Sequence, residues 1–256
     1  MTFLDTFLAK MFIVLIPTPE GVSLYAELCK KSKTVKQFNT EKLTSLETLE
    51  SGIKKLERES AISYVSLLDT HSKQGLLEGC SHGSVDDISS YETLCIDARW
   101  GLYMAKDDIF EQQKKYQKSG LDFIFSPYSL LANHYEKVLA QNDGLYILIF
   151  DNILVSTVFY NNTLIFVDLQ NIPKKSVISQ ENPHEEFVEA IESVIKQFYE
   201  TKVGRSMFIE KIYIADAMNF DIRFENRLEE TLFVEVHRAS IDVAVALVDL
   251  AQKELS

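Results

Sequence analysis

Glycine and proline are scarce in this chain, with 9 and 5 among 256 residues, and no segment is of low complexity. Long flexible linkers and disordered or collagen-like architectures are thereby excluded. Cysteine is scarcer still: Cys29, Cys80 and Cys95 form an odd set without CxxC spacing. Such a set fits a reducing cytoplasm better than a disulfide scaffold. No apolar run approaches the roughly 18 residues that span a bilayer. The longest, residues 145–150 and 153–160, are strand-sized. The opening MTFLDTFLAKMFIVLIP lacks a basic start and is broken by Asp5 and Lys10, so it does not read as a secretion signal.

Basic residues are also in deficit. Lys and Arg number 26 against 38 Asp and Glu, a net charge of −12. This balance argues against nucleic acid or an anionic membrane surface as the main partner. Up to Gly144 there are 16 basic and 20 acidic residues, and after it 10 and 18, so −8 of the −12 lies in the back part. What is present is ordinary globular material, 46% hydrophobic and 25% charged. The length suits one large domain or two of roughly 100–150 residues.

One pattern occurs twice. Residues 12–16 form a buried-strand run closed by Pro17-Thr18-Pro19-Glu20-Gly21, then 22–28 and 34–38 return as strands. Thr44 caps a helix with Glu47 as its reciprocal partner, and Leu46, Leu49, Ile53 and Leu56 form its apolar stripe. Residues 61–68 are again strand-like. The second copy runs through 145–150, a turn at Asp151-Asn152, 153–160, a turn at Asn161-Asn162, and 163–169. A helix over 185–200 carries Phe187, Ile191, Ile195 and Phe198 on one face, and 212–215 is the next strand. Between the copies lie a strand over 92–105 with the single Trp100, a helix over 107–118 ended by Gly120, a strand over 121–125 and a helix over 128–139. The chain finishes with a polar helix over 221–230, a strand over 232–236 and a helix over 240–254.

Two copies of β, β, β, α, β predict an α/β protein of duplicated ribonuclease H-like units, the two-lobed actin-like (ASKHA) fold. The lobes are expected at residues 1–126 and 127–256, with the last helix, 240–256, packing back on the first. A single α+β domain with a large mixed sheet is the alternative.

The run from Leu94 through Ile96-Asp97-Ala98-Arg99-Trp100-Gly101 to Lys106, then a helix, then Lys118-Ser119-Gly120-Leu121-Asp122, resembles a segment of the PilM/GspL family of pilus-assembly and type II secretion proteins. Residues 147–169, with Phe150-Asp151-Asn152 at one turn and Tyr160-Asn161-Asn162-Thr163 at the next, are similar to the second-lobe opening of that family. The resemblance covers about half the chain and is carried by pattern. It implies a cytoplasmic actin-like module at the inner-membrane face. Its partners would be an assembly or secretion ATPase and inner-membrane subunits. Membrane association would be peripheral, through those partners or through a helix beyond Ser256, and homodimerisation is left open.

An actin-like ATPase needs an Asp-x-Gly turn in each first hairpin, where backbone N–H groups approach phosphate and the Asp orients Mg²⁺. Here the first turn holds two prolines, which donate no N–H, and no Asp. The second has Asp151 without glycine. The loop after 212–214 should be glycine-rich to pass a nucleoside but reads Ala215-Asp216-Ala217-Met218. The nucleotide site therefore reads as lost, with Thr18, Asp151 and Asp216 as vestigial cleft positions; no catalytic residue, metal or cofactor is expected. Asp151 and Asp216 read first as turn-forming carboxylates at strand ends, with residual metal or nucleotide ligation as the alternative.

Other clusters are weaker. His71, Cys80, His82 and Cys95 match no zinc-finger or ribbon spacing. The Ser/His segments at 71–72 and 81–84 lack a G-x-S-x-G elbow. Lys114, Lys115 and Lys118, and the pair Arg223 and Arg227, are candidate contacts for an acidic partner or simply solvated faces. The reading is a non-catalytic scaffold of a pilus, secretion or DNA-uptake machine. Its alternatives are a nucleotide-binding switch with nonstandard phosphate loops and an unrelated α+β protein-binding domain.

Overall fold

Thirteen strands and six α-helices are present among the residues described by the computed structural model, 8–39, 42–79, 88–97, 100–138, 142–172 and 184–255. In chain order they open with β1 (Lys10–Thr18), β2 (Gly21–Lys30), β3 (Lys33–Asn39), α1 (Leu46–Glu57) and β4 (Ile62–Leu68). Next come β5 (Gln74–Glu78), β6 (Tyr91–Asp97), β7 (Trp100–Ala105), α2 (Lys106–Lys115), β8 (Phe123–Phe125) and α3 (Pro127–His134). The remainder is β9 (Gly144–Phe150), β10 (Ile153–Tyr160), β11 (Thr163–Asn171) and α4 (Glu185–Glu200), then β12 (Lys211–Asp216), α5 (Ile222–Leu232), β13 (Glu235–Ser240) and α6 (Val243–Glu254).

The chain forms two compact units, and each holds one five-stranded sheet of the same topology. The orders are β3-β2-β1-β4-β8 and β11-β10-β9-β12-β13. In both, the first three strands are antiparallel and the last two join in parallel after a crossover helix. The expected repeat is therefore present strand for strand.

The units do not divide the chain at a single point. The first comprises residues up to His71, Ala105–Leu130 and those from Asp242 onward; the second comprises Ser72–Met104 and Leu131–Ile241. This differs from a boundary at 126/127 in one respect above all. Residues 72–104 build a third sheet, β5-β7-β6, and β5 packs beside β11. The sequence pattern predicts one strand over 92–105, where the chain makes two, and it predicts none at 74–78. β5 is only five residues long, and Gly75 admits the Tyr103 ring so closely that a Cβ there would lie 2.7 Å from its hydroxyl.

In the first unit, alternation along β1 divides its side chains between two layers. Met11, Ile13 and Leu15 join Leu49, Ile53 and Leu56 of α1 and Tyr116 in one core. α6 packs on β1, β2 and β4, and Gln252 Nε2 lies 3.4 Å from Cys29 Sγ. α1 is capped by Ser45, whose Oγ accepts from Thr48 N–H at 3.2 Å, one residue later than the expected Thr44. Leu46 is consequently exposed, outside the apolar stripe.

In the second unit every residue of β9 is buried. Leu145, Ile147 and Ile149 enter a core with α4 and α5, including Phe187, Ile191, Phe198 and Phe224. Tyr146 meets an aromatic cluster with Phe159, Tyr213 and Tyr135, and Trp100 joins Phe159 at 6.0 Å. Burial pushes the Tyr135 and Tyr146 phenols far above their ordinary value. Asn161 and Asn162 both take positive φ, as the tight β10–β11 turn requires. The last strand starts at Glu235 rather than 232, because α5 runs to Leu232 and Phe233 ends it in the left-handed region with φ 55°.

Truncating a side chain in this double-faced strand leaves a cavity that little can fill. We expect Ile147→Ala to destabilise the protein by about 2–5 kcal/mol in urea denaturation, with the native spectrum retained. Asp168 on β11 supplies a pH test. Burial raises its carboxyl pKa even though Gln170 Nε2 donates to it at 2.7 Å. A raised folded value means that its contribution is fully present below the unfolded pKa of about 3.9 and is lost as pH rises through the folded value. Asp168→Asn is therefore expected to exceed wild type in stability at pH 7 and to lose that advantage by about pH 3.5.

Candidate functional site

The positions that would meet a nucleotide in an actin-like protein are the turns at the strand ends of each sheet. In the first unit the β1–β2 hairpin closes with Thr18 paired to Gly21 around Pro19-Glu20. Thr18 Oγ1 donates to Gly21 O at 3.2 Å, so the hydroxyl serves its own turn. Gly21 is required by packing: a Cβ there would lie 2.5 Å from Leu43 O, in a backbone at φ 149°. With Pro17 and Pro19 flanking Thr18, the turn presents few amide N–H groups to an anion.

In the second unit the β9–β10 turn places Asp151 at φ 49°, a conformation that Asp tolerates without glycine. β9 and β12 run in parallel with Ile149 paired to Asp216, so Asp151 and Asp216 follow adjacent strands at the same end of the sheet. The structure thus brings these two predicted residues to one edge; Thr18 belongs to the other unit.

Asp216 is 2% exposed and its carboxylate is heavily used. Oδ1 accepts from Met218 and Asn219 N–H at 2.8 and 3.0 Å, and Oδ2 accepts from Phe220 N–H at 2.9 Å. Arg238 Nη1 lies 3.4 Å from Oδ2 and also donates to Phe220 O at 2.5 Å, while its Nε faces Glu225 at 3.5 Å. Asp216 therefore organises the turn after β12, with Asn219 held at φ 53° and bonded to Ser240 Oγ at 2.7 Å. Sequence reading found Asp216 but missed Arg238, whose position on β13 rather than in a motif gave no signal.

Of the set His71, Cys80, His82 and Cys95, the structure describes His71 and Cys95. Cys80 and His82 lie outside the described residues, and Cys95 is disulfide-bonded, which departs from the reduced set expected. Cys29 is a free thiol, pushed up to about 11 by burial and then by Glu27. Glu27 is itself a buried carboxylate missed by sequence reading; it accepts from Tyr25, from Thr34 Oγ1 at 2.5 Å and from Gln37 Nε2 at 3.1 Å. His71 bonds the buried Asp69 and stands beside Asp108 and Glu111.

Three of the five basic candidates face acidic neighbours of their own unit, and Lys115 Nζ lies over the Tyr116 ring. Lys118 approaches Glu50 at 3.9 Å, Arg223 meets Asp221 at 2.5 Å, and Arg227 meets Glu185 at 3.4 Å. The Arg223 hydrogen bond holds the Asp221 carboxyl below its ordinary range. An open groove of about 900 Å³ lies in the second unit where β9 and β12 begin, lined by Gly144, Tyr160, Phe198, Phe208 and Lys211 among others. It sits at the opposite end of the sheet from Asp151 and Asp216. No helix among the described residues is long and apolar enough to cross a membrane.

Two family models match the chain, both described as domains of unknown function: DUF8569 over residues 7–132 and DUF8341 over residues 168–256. No curated protein matches it significantly. Among solved structures it is similar to a Bacteroides thetaiotaomicron protein of actin-like ATPase fold and unknown function, at 11% identity over 97% of this chain and 98% of that one, with a TM-score of 0.59. It is also similar to a structure described as the PilM–PilN type IV pilus biogenesis complex, at 12% identity over 89% and 87%, with a TM-score of 0.54. Such identities report fold alone: the chain has the actin-like ATPase fold.

If Asp216 organises its own turn, its removal leaves three backbone amides without their acceptor and takes one ion pair from Arg238. Asp216→Ala is expected to cost about 3–5 kcal/mol in nucleotide-free buffer, measured by urea denaturation. A ligand-binding role alone would leave nucleotide-free stability near wild type.

Proposed function

We propose that this chain is a non-catalytic, actin-like scaffold of a type IV pilus, type II secretion or DNA-uptake machine, linking an assembly ATPase to inner-membrane subunits. The observation that carries the reading is the chemistry of the three loops. One is flanked by prolines with its hydroxyl turned inward, one lacks glycine, and one has its carboxylate bonded to its own backbone. In the first and third loops structural contacts stand where an amide cradle would grip phosphate.

The fold likeness to a PilM–PilN structure supports the choice of machine, since that protein is described in a pilus complex. A partner segment could extend a sheet through main-chain hydrogen bonds. β3 is an end strand of the first sheet with almost wholly exposed side chains. The proposed location is the cytoplasmic face of the inner membrane. The Cys95 disulfide runs against a reducing compartment, and thiol trapping in intact cells tests it: Cys95 alkylated before lysis supports the cytoplasm, and an oxidised Cys95 contradicts it.

A second reading, a nucleotide-driven switch with nonstandard loops, rests on Asp151 beside Asp216 at one sheet edge. Calorimetric titration of ATP–Mg²⁺ into the full chain separates the two. No saturable heat is expected, and micromolar binding lost in Asp151→Ala would establish the switch. For the scaffold itself, in-cell cross-linking is expected to recover a pilus or secretion assembly ATPase.

A further inference from the structure

We propose that His71, Asp108 and Glu111 form a binding site for one divalent transition-metal cation of the zinc class, within the first unit. One ligand atom from each residue lies within 4.8 Å of the other two. Asp108 and Glu111 are three apart on α2, the spacing that brings two side chains to one helix face. His71 arrives from the segment just after β4. A neutral imidazole and two carboxylates supply mixed nitrogen and oxygen donors with a charge of −2, which matches a dication. The His71 side chain is 42% exposed, so a cation can reach it from solvent.

The independent observations lie behind the histidine. Asp69 is 1% exposed and is fixed by its own N–H, which donates to Phe125 O at 2.8 Å. Its Oδ1 lies 2.5 Å from His71 Nδ1 and 3.5 Å from Gln112 Nε2. With Nδ1 protonated toward Asp69, the imidazole lone pair is on Nε2. A buried carboxylate behind an imidazole is how metal-ligating histidines are oriented and made more basic.

Gln112, the residue after Glu111, is 7% exposed, and its amide nitrogen lies 3.3 Å from His71 Nδ1. Its Oε1 is buried and has no hydrogen-bond partner. A buried carbonyl left without a donor is costly as it stands. A water bound to a cation at this site supplies the donor it lacks. The grouping is separate from the loops carrying Thr18, Asp151 and Asp216, and it does not depend on any nucleotide.

The test is titration of Co²⁺ and then Zn²⁺ into the full chain, read by Co²⁺ visible absorption and by calorimetry, with far-UV circular dichroism as a check on folding. One saturable site per chain is expected. His71→Ala and Glu111→Gln should each weaken Zn²⁺ binding at least tenfold. Asp69→Asn should weaken it about 10–100-fold while the Co²⁺ bands keep the same positions, because the ligands stay and only their orientation is lost. A wild-type chain without a saturable site overturns the proposal. So does a folded His71→Ala variant that binds like wild type.

Discussion

Burial of the central strands on both faces is the constraint on which the rest of this structure depends. β9 has no exposed residue, and β1 is buried from Met11 to Leu15. A strand apolar on both sides must be covered on both sides, which a lone antiparallel sheet does not achieve. In the first unit α1 provides one cover and α6, drawn from the far end of the chain, packs against β1, β2 and β4. In the second unit α4 and α5 cover one face, and the aromatic cluster around Tyr146 fills the other. The interleaved division of the chain follows from this requirement.

The same architecture brings loops to the ends of the central strands, where an actin-like protein meets its nucleotide. In this chain two of those loops hold themselves together. Asp216 binds three amides and faces Arg238; Thr18 bonds across its own turn. A buried carboxylate with that many partners is a structural commitment, since withdrawing it leaves three N–H groups unsatisfied.

Most of the fold was legible in the sequence because its signals are local. The buried runs at 12–16 and 145–150, the Asn161-Asn162 turn and the Phe187/Ile191/Phe198 stripe each report their own element, and the repeat of β, β, β, α, β reports the topology. What was illegible depends on distant partners. β5 is a five-residue strand recognised only through β7 and the Gly75–Tyr103 contact. Phe233 looks like strand and instead ends α5 in a left-handed turn. At the site, Asp151 and Asp216 stood out as carboxylates at strand ends. Arg238 and the Asp69–His71–Gln112 grouping arise from elements far apart in sequence and carry no motif.

The central claim is that the loop after β12 uses Asp216 for itself. The most direct measurement is a crystal structure grown with saturating ATP–Mg²⁺. The account predicts no nucleotide density at the strand ends, with Asp216 still accepting from Met218, Asn219 and Phe220 and facing Arg238. A bound nucleotide with Asp216 or Asp151 turned toward its Mg²⁺ would contradict it.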